Sequence, residues 1–289
     1  MLGSSFLFAL MGVCVKLASA QYGAGEIVMY RSIVGAVCIV LLARWRRGSL
    51  RTTVPGMHAW RAAVGVTALV LWFYAIGNLP LATAMTLNYM SSVWMALFLI
   101  GGAIATGGAR VDSRLVGSVL LGFAGVALVL RPTIDQQQLW HGFAGLMSGV
   151  LAALAYLQVT ALGRTGEPDF RIVFYFSLGG CVAGFSLGLA NGFGQHTPLG
   201  ALLLVAIGLL ATTAQLMMTR AYAIGTTLSN AALQYTGIAF AFAFGALVFD
   251  DEITLMALVG IGLIVVAGLA ATFLRARVAP DASGPADAA

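Results

Sequence analysis

Apolar residues run along this chain in ten long stretches, separated by short polar or proline-bearing connections. The stretches cover roughly 3–20, 26–43, 60–78, 81–105, 114–130, 140–162, 170–191, 199–219, 226–249 and 253–274. A helix of about 20 mostly apolar residues crosses a bilayer, and each stretch is close to that length. They are continuous and rich in Ala, Leu and Gly, which predicts helices and not the alternating strands of an outer-membrane barrel. Pro55, Pro80, Pro132, Pro168 and Pro198 all fall in connections, where the missing N–H does least harm. The pattern predicts an all-α polytopic membrane protein with ten transmembrane helices.

Composition supports that class. The 289 residues are 60% hydrophobic and 9% charged, against roughly 25% charged in a soluble domain. Cys14, Cys38 and Cys181 lie inside apolar runs without a CxxC spacing, so they read as small apolar fillers. The first run ends in Ala18-Ser19-Ala20, which mimics a signal-peptidase site. A signal peptide carries basic residues before its apolar core; here Lys16 sits near the end of the run, so the run reads as a membrane helix. It opens abruptly at Leu2, as it would if a longer tail had been trimmed.

Charge gives the spans a direction. Arg44, Arg46, Arg47, Arg51 and Arg61 fall in one connection, and Arg110, Arg114, Arg164, Arg171, Arg220, Arg275 and Arg277 fall in every second one after it. The opposite set holds only Arg131. The positive-inside rule then puts both termini in the cytoplasm. The dispersed arginines argue against a nucleic-acid partner. The tail 279–289 reads as disordered.

The chain also repeats itself. Tyr74-Ala75-Ile76-Gly77 recurs as Tyr222-Ala223-Ile224-Gly225, and Leu87-Asn88-Tyr89 is echoed by Leu233-Gln234-Tyr235. Gly117 and Gly125 match Gly260 and Gly268, and Tyr30 and Ser32 match Tyr175 and Ser177. The offsets are all about half the chain. Residues 1–135 and 136–278 are therefore expected to be two five-helix repeats. Five is odd, so the second repeat enters the membrane inverted, the architecture of alternating-access carriers.

Leu79-Pro80-Leu81-Ala82 with Ala84, and Phe249-Asp250-Asp251-Glu252 with Gly260 and Gly268, resemble the EamA-type drug/metabolite transporters over essentially the whole chain. Within that superfamily the chain looks most like the YddG-type exporters of aromatic and other amino acids. The resemblance implies a bacterial inner membrane and a central cavity between the halves. The acidic position of Glu252 has Ala109 as its counterpart, which departs from a symmetric acidic pair.

Candidate binding residues are polar or aromatic positions within spans. Tyr74 and Asn78 share a face of the third span; Asn88, Tyr89, Ser91 and Trp94 lie on the fourth. Tyr156 lies on the sixth with Thr160, and Gln215, Thr219 and Tyr222 align on the eighth. Thr227, Asn230 and Gln234 form a stripe on the ninth, followed by Tyr235. Such groups can hold a zwitterion's ends and stack on its body, or serve as interhelical glue. Lys16 and Arg31 are the intramembrane charges, costly and therefore suspects for carboxylate recognition; Glu26 nearby could pair with either. Trp45, Trp60 and Trp140 read as belt residues. Gly180, Gly184, Gly188 and Gly192 form a ridge for close helix packing.

No Asp or Glu lies deep in a span, so proton coupling through a buried carboxylate is not expected. His58, His141 and His196 lie at span edges or in connections. With no P-loop either, an enzyme is not expected, and neither a cofactor nor a metal site. The predicted function is export of small metabolites, foremost aromatic and other neutral amino acids, by alternating access. A multidrug or cation exporter, or a nucleotide-sugar carrier, is the alternative. A monomer or weak homodimer in the lipid bilayer is expected.

Overall fold

A computed structural model describes residues 1–105, 136–224, 233–251 and 254–278, with Gly117, 120–122, Ala124, Gly125, Leu128 and Asn230. Among these residues the secondary structure is all helical. The helices are α1 (Leu2–Ala18), α2 (Ala24–Trp45), α3 (Pro55–Asn78), α4 (Leu81–Tyr89) and α5 (Ser91–Ala105), then α6 (Gln136–Arg164), α7 (Asp169–Asn191), α8 (Pro198–Ile224), α9 (Thr236–Phe249) and α10 (Leu255–Val278). Most of the predicted fifth span, the stretch 225–229 with Thr227, and the positions Ala109 and Glu252 lie outside the described residues.

Proline sets several helix starts. Pro55 opens α3, and Pro198 opens α8; at a first turn the N–H is unsatisfied anyway. Pro80 and Pro168 sit just before α4 and α7. At the other end, α7 stops at Gly192, whose φ of 85° suits glycine. Asp250 takes a left-handed conformation, φ 50°, to end α9.

Among the described residues five helices, α2, α3, α6, α7 and α8, are long and apolar enough to cross a membrane. α1, α9 and the stretch Leu258–Ala267 of α10 are shorter apolar helices. Two predicted spans differ from single helices. The fourth breaks at Met90, between α4 and α5, where Ser91 and Ser92 follow, residues that compete with the helical backbone. The ninth breaks at Tyr235, a turn residue just before α9. The apolar run hides both breaks, because hydropathy records depth in the membrane and not backbone continuity.

α2 packs along α7, α3 along α6 and α1 along α8. α4 meets α9, and each also meets a helix of the other half, α4 against α6 and α9 against α1. The glycine ridge of α7 is used over part of its length. A methyl group at Gly184 would sit 2.6 Å from the Met29 amide nitrogen of α2, so only glycine lets these backbones approach. Outward residues such as Val37, Leu41, Val182, Leu189, Leu199 and Leu202 are exposed, an apolar surface suited to lipid tails. Trp45, Trp60 and Trp140 are exposed at or near helix ends, where belt residues belong.

Candidate functional site

Seven helices line a central cavity of about 50 Å³, tighter than the usual small-molecule site. Phe8 comes from α1, Arg31 from α2, and Arg61, Gly65, Leu69 and Trp72 from α3. Asn88 and Tyr89 come from α4, Tyr156 from α6, Phe176 from α7 and Gln215 from α8. Asn88 and Tyr89 stand at the break before Met90, so the interrupted helix ends on the cavity wall.

The charged part of the wall is two arginines. Arg31 is 4% exposed and Arg61 is 3% exposed. Both guanidinium groups lie over the phenyl ring of Phe176, at 5.1 Å and 4.3 Å from its centre, a cation–π arrangement. Arg31 Nε, Arg61 Nε and Arg61 Nη1 are buried without a hydrogen-bond partner. Among the described residues neither guanidinium has a carboxylate within ion-pair distance.

The uncharged part is a linked set. Tyr156 and Tyr222 stack with ring centres 5.4 Å apart. Tyr222 donates its hydroxyl to Gln234 Oε1 at 3.2 Å, and Gln234 Nε2 donates to the Tyr156 hydroxyl at 3.3 Å. One glutamine from the broken ninth span thus ties α6 to α8. Asn88 Nδ2 donates to Ser148 Oγ at 3.0 Å, and Ser148 Oγ donates to the Gly145 carbonyl at 2.6 Å.

Arg31, Asn88, Tyr89, Tyr156 and Gln215 are the sequence-predicted residues that line this cavity, and Tyr222 and Gln234 adjoin it through Tyr156. Ser91, Asn230 and Tyr235 are buried, with Asn230 Nδ2 donating to the Ala221 carbonyl. Trp94 packs half-buried against the core. Tyr74 lies elsewhere: it stacks edge-on against His141 and lines a separate cleft with Glu26 and Trp140. Asn78 is exposed and bonds back to the Tyr74 carbonyl at 2.8 Å.

Lys16, expected as a carboxylate-recognising charge, does not face the cavity but pairs with Asp251, 2.9 Å away, and lies over the Phe249 ring. Asp251 also accepts from the Leu81 amide at 2.9 Å. The Lys16 charge is thereby spent on joining α1, α4 and the end of α9. Glu26 pairs with neither Lys16 nor Arg31; it accepts from the Gly194 amide at 2.9 Å and lies 3.4 Å from His196 Nε2.

Arg61 is the cavity-lining residue the sequence pattern concealed. Its neighbours on the arginine-rich connection made it look like a loop residue. The helix starts at Pro55, not at 60, so Arg61 lies in its second turn. From there Arg61, Gly65, Leu69 and Trp72 share one face at the three-to-four spacing. Proline at a first helical turn was the available signal.

At the arginine-rich end, Glu167 gathers three donors between α6 and α7. Thr52 Oγ1 donates at 2.8 Å, His58 Nε2 lies at 3.1 Å and Arg171 Nη1 donates at 3.1 Å. Arg171 also reaches the Ser49 carbonyl at 2.8 Å, so the loop after α2 is fastened to the start of α7. Burial alone would raise the Glu167 pKa. The three hydrogen bonds and the Arg171 charge outweigh it and hold the carboxyl below the ordinary glutamate range. His58 lies in the first turn of α3, where its edge position gave no sign of burial; it is buried and engaged with this carboxylate. Among the described residues no group of His, Cys, Asp and Glu could hold a metal ion.

Residues 1–131 match the EamA-like transporter family. A pseudopaline exporter of Pseudomonas aeruginosa, CntI, is 32% identical over 268 residues, which cover 92% of each chain. The chain belongs to the EamA-like transporter family. It is therefore a membrane transporter and not an enzyme. An uncharacterized transporter of Helicobacter pylori is 26% identical over 279 residues, covering 92% of this chain and 91% of its own. A crystal structure 18% identical superposes with a TM-score of 0.67 over 95% of this chain and 97% of that one, which supports the fold alone. Membership in this family assigns the seven-helix cavity to a protein that moves small molecules.

Proposed function

We propose that this chain exports small carboxylate-bearing metabolites, aromatic and other neutral amino acids among them, across a bacterial inner membrane by alternating access. One observation carries the substrate class: Arg31 and Arg61 face the central cavity with no protein carboxylate beside them among the described residues. Guanidinium groups are the usual partners of carboxylates. The stacked Tyr156 and Tyr222 offer an aromatic face, and Asn88 and Gln215 offer uncharged polar contacts. A cation cargo would meet two like charges. The direction of transport leans on the relative named as an exporter, and the amino-acid part on the resemblance to YddG-type exporters.

The architecture we propose is two inverted repeats, residues 1–135 and 136–278, with both termini cytoplasmic. The packing supports it. Exchanging each helix for the one five spans away turns the α3–α6 pair into α8–α1, and the α1–α9 pair into α6–α4. The break at Met90 comes directly after Leu87-Asn88-Tyr89, and the break at Tyr235 falls on the last residue of the matched Leu233-Gln234-Tyr235. No described carboxylate lines the cavity, so we propose gradient-driven movement without a carboxylate proton relay.

Flux into proteoliposomes with labelled amino acids, nucleotide sugars and lipophilic cations tests the proposal. Saturable amino-acid flux that falls at least tenfold in Arg31→Gln is expected. Cation flux without amino-acid flux contradicts it.

A further inference from the structure

We infer that the cavity favours an organic anion of charge −2 over a net-neutral zwitterion. The inference rests on the carrier function proposed above and narrows its substrate class.

Two other charged groups described inside the bundle, Lys16 and Glu167, are matched by the protein, and buried Glu26 has the Gly194 amide and His196 beside it. Lys16 meets Asp251, and Glu167 meets His58 and Arg171. Arg31 and Arg61 differ. They are more than nine-tenths buried, lie over one phenyl ring, and keep three N–H-bearing nitrogens without a partner. A buried charge left uncompensated costs several kcal/mol, and here two like charges share one small space. The balancing charge must come with the ligand. A zwitterion supplies one carboxylate but adds an ammonium, so the filled cavity stays at two positive charges. A dianion brings it to neutrality.

Geometry agrees with the charge count. Lying over Phe176 fixes both guanidinium groups against an apolar wall, while their N–H edges remain for oxyanions. Both side chains contact one cavity, so a single small molecule can reach both. The doubly charged ligand could be a dicarboxylate or a phosphate monoester; each presents the same chemistry to a pair of arginines.

The test uses the full-length protein, with two readouts. Thermal stabilisation of the purified carrier is measured with a dicarboxylate, a phosphate monoester, a monocarboxylate of matched size and a neutral amino acid. Counterflow of the same compounds is measured in proteoliposomes. At least one doubly charged compound is expected to bind and move with at least tenfold higher affinity than the monocarboxylate and the amino acid. Which one wins distinguishes carboxylate from phosphate cargo. Arg31→Gln and Arg61→Gln are each expected to erase that preference, and Arg61→Lys, which keeps the charge, to retain part of it. The variants' own melting temperatures separate lost recognition from lost folding. Equal affinity for singly and doubly charged compounds overturns the inference, as does a preference that survives both Gln variants. If amino acids move but dianions gain nothing, only this inference fails. If no anion moves in any form, the carrier proposal fails with it.

Discussion

The Arg61 guanidinium occupies the space that Gly65 leaves open one turn further along α3. A methyl group at Gly65 would overlap Arg61 Nη1, the far end of a flexible side chain. Gly65→Ala should therefore dislodge the guanidinium without disrupting the helix. Alanine also favours the helix by about 1 kcal/mol over glycine. The expected result is an unchanged or higher melting temperature with anion affinity lowered about tenfold, read by ligand-dependent thermal shift. Unchanged affinity would show that the Arg61 position does not matter for binding.

Lys16 and Arg31 are both cations inside the bundle, and they should behave oppositely. Lys16 neutralises Asp251 at a span end. Lys16→Met is expected to lower stability by about 1–2 kcal/mol, discounted for partial exposure, and to leave substrate affinity as it is. Arg31→Gln removes an uncompensated buried charge, so the ligand-free protein should melt no lower while affinity falls. Denaturation curves set beside flux measurements separate the two patterns.

The Glu167 cluster predicts an acid limb in stability. Its carboxyl titrates below the ordinary glutamate value in the folded chain. The contribution is present in full above the unfolded pKa of about 4.3 and is lost as pH falls through the lower folded value. Melting temperature in detergent should therefore drop below about pH 4.3. Glu167→Gln should start lower at neutral pH and flatten that drop. An acid limb of the same size in Glu167→Gln would assign it to other groups.

Gln234 holds Tyr156 and Tyr222 through its two amide ends. Gln234→Ala removes both bonds, each worth about 1 kcal/mol, and frees the stacked pair. Flux of aromatic amino acids should fall more than flux of aliphatic ones in proteoliposomes. An equal fall for both, or none, argues against the tyrosine stack as the aromatic subsite.

Much of this arrangement was legible in the sequence because membrane insertion writes its rules plainly. Apolar length and proline placement located α1, α2, α3 and α6 to α8 within a few residues. Polar side chains inside spans singled out Asn88, Tyr89, Tyr156, Gln215 and Gln234, because a buried polar group needs a reason. Four features escaped. The breaks at Met90 and Tyr235 leave hydropathy unchanged. Arg61 shares its neighbourhood with surface arginines, and only the helix start at Pro55 separates it from them. The partner of Lys16, Asp251, is far away in sequence, and no spacing along one helix connects the two. Phe176, which carries both arginines, looks like any other core aromatic on an apolar helix.

The most direct test of the central claim compares a labelled carboxylate metabolite with its carboxamide, identical in size and lacking only the negative charge. Proteoliposomes containing the wild-type chain are expected to move the acid and to move the amide at least tenfold more slowly. The double variant Arg31→Gln, Arg61→Gln should bring the acid down to the rate of the amide. Equal rates for acid and amide in the wild-type protein would contradict the account, and so would acid flux that the double variant leaves intact.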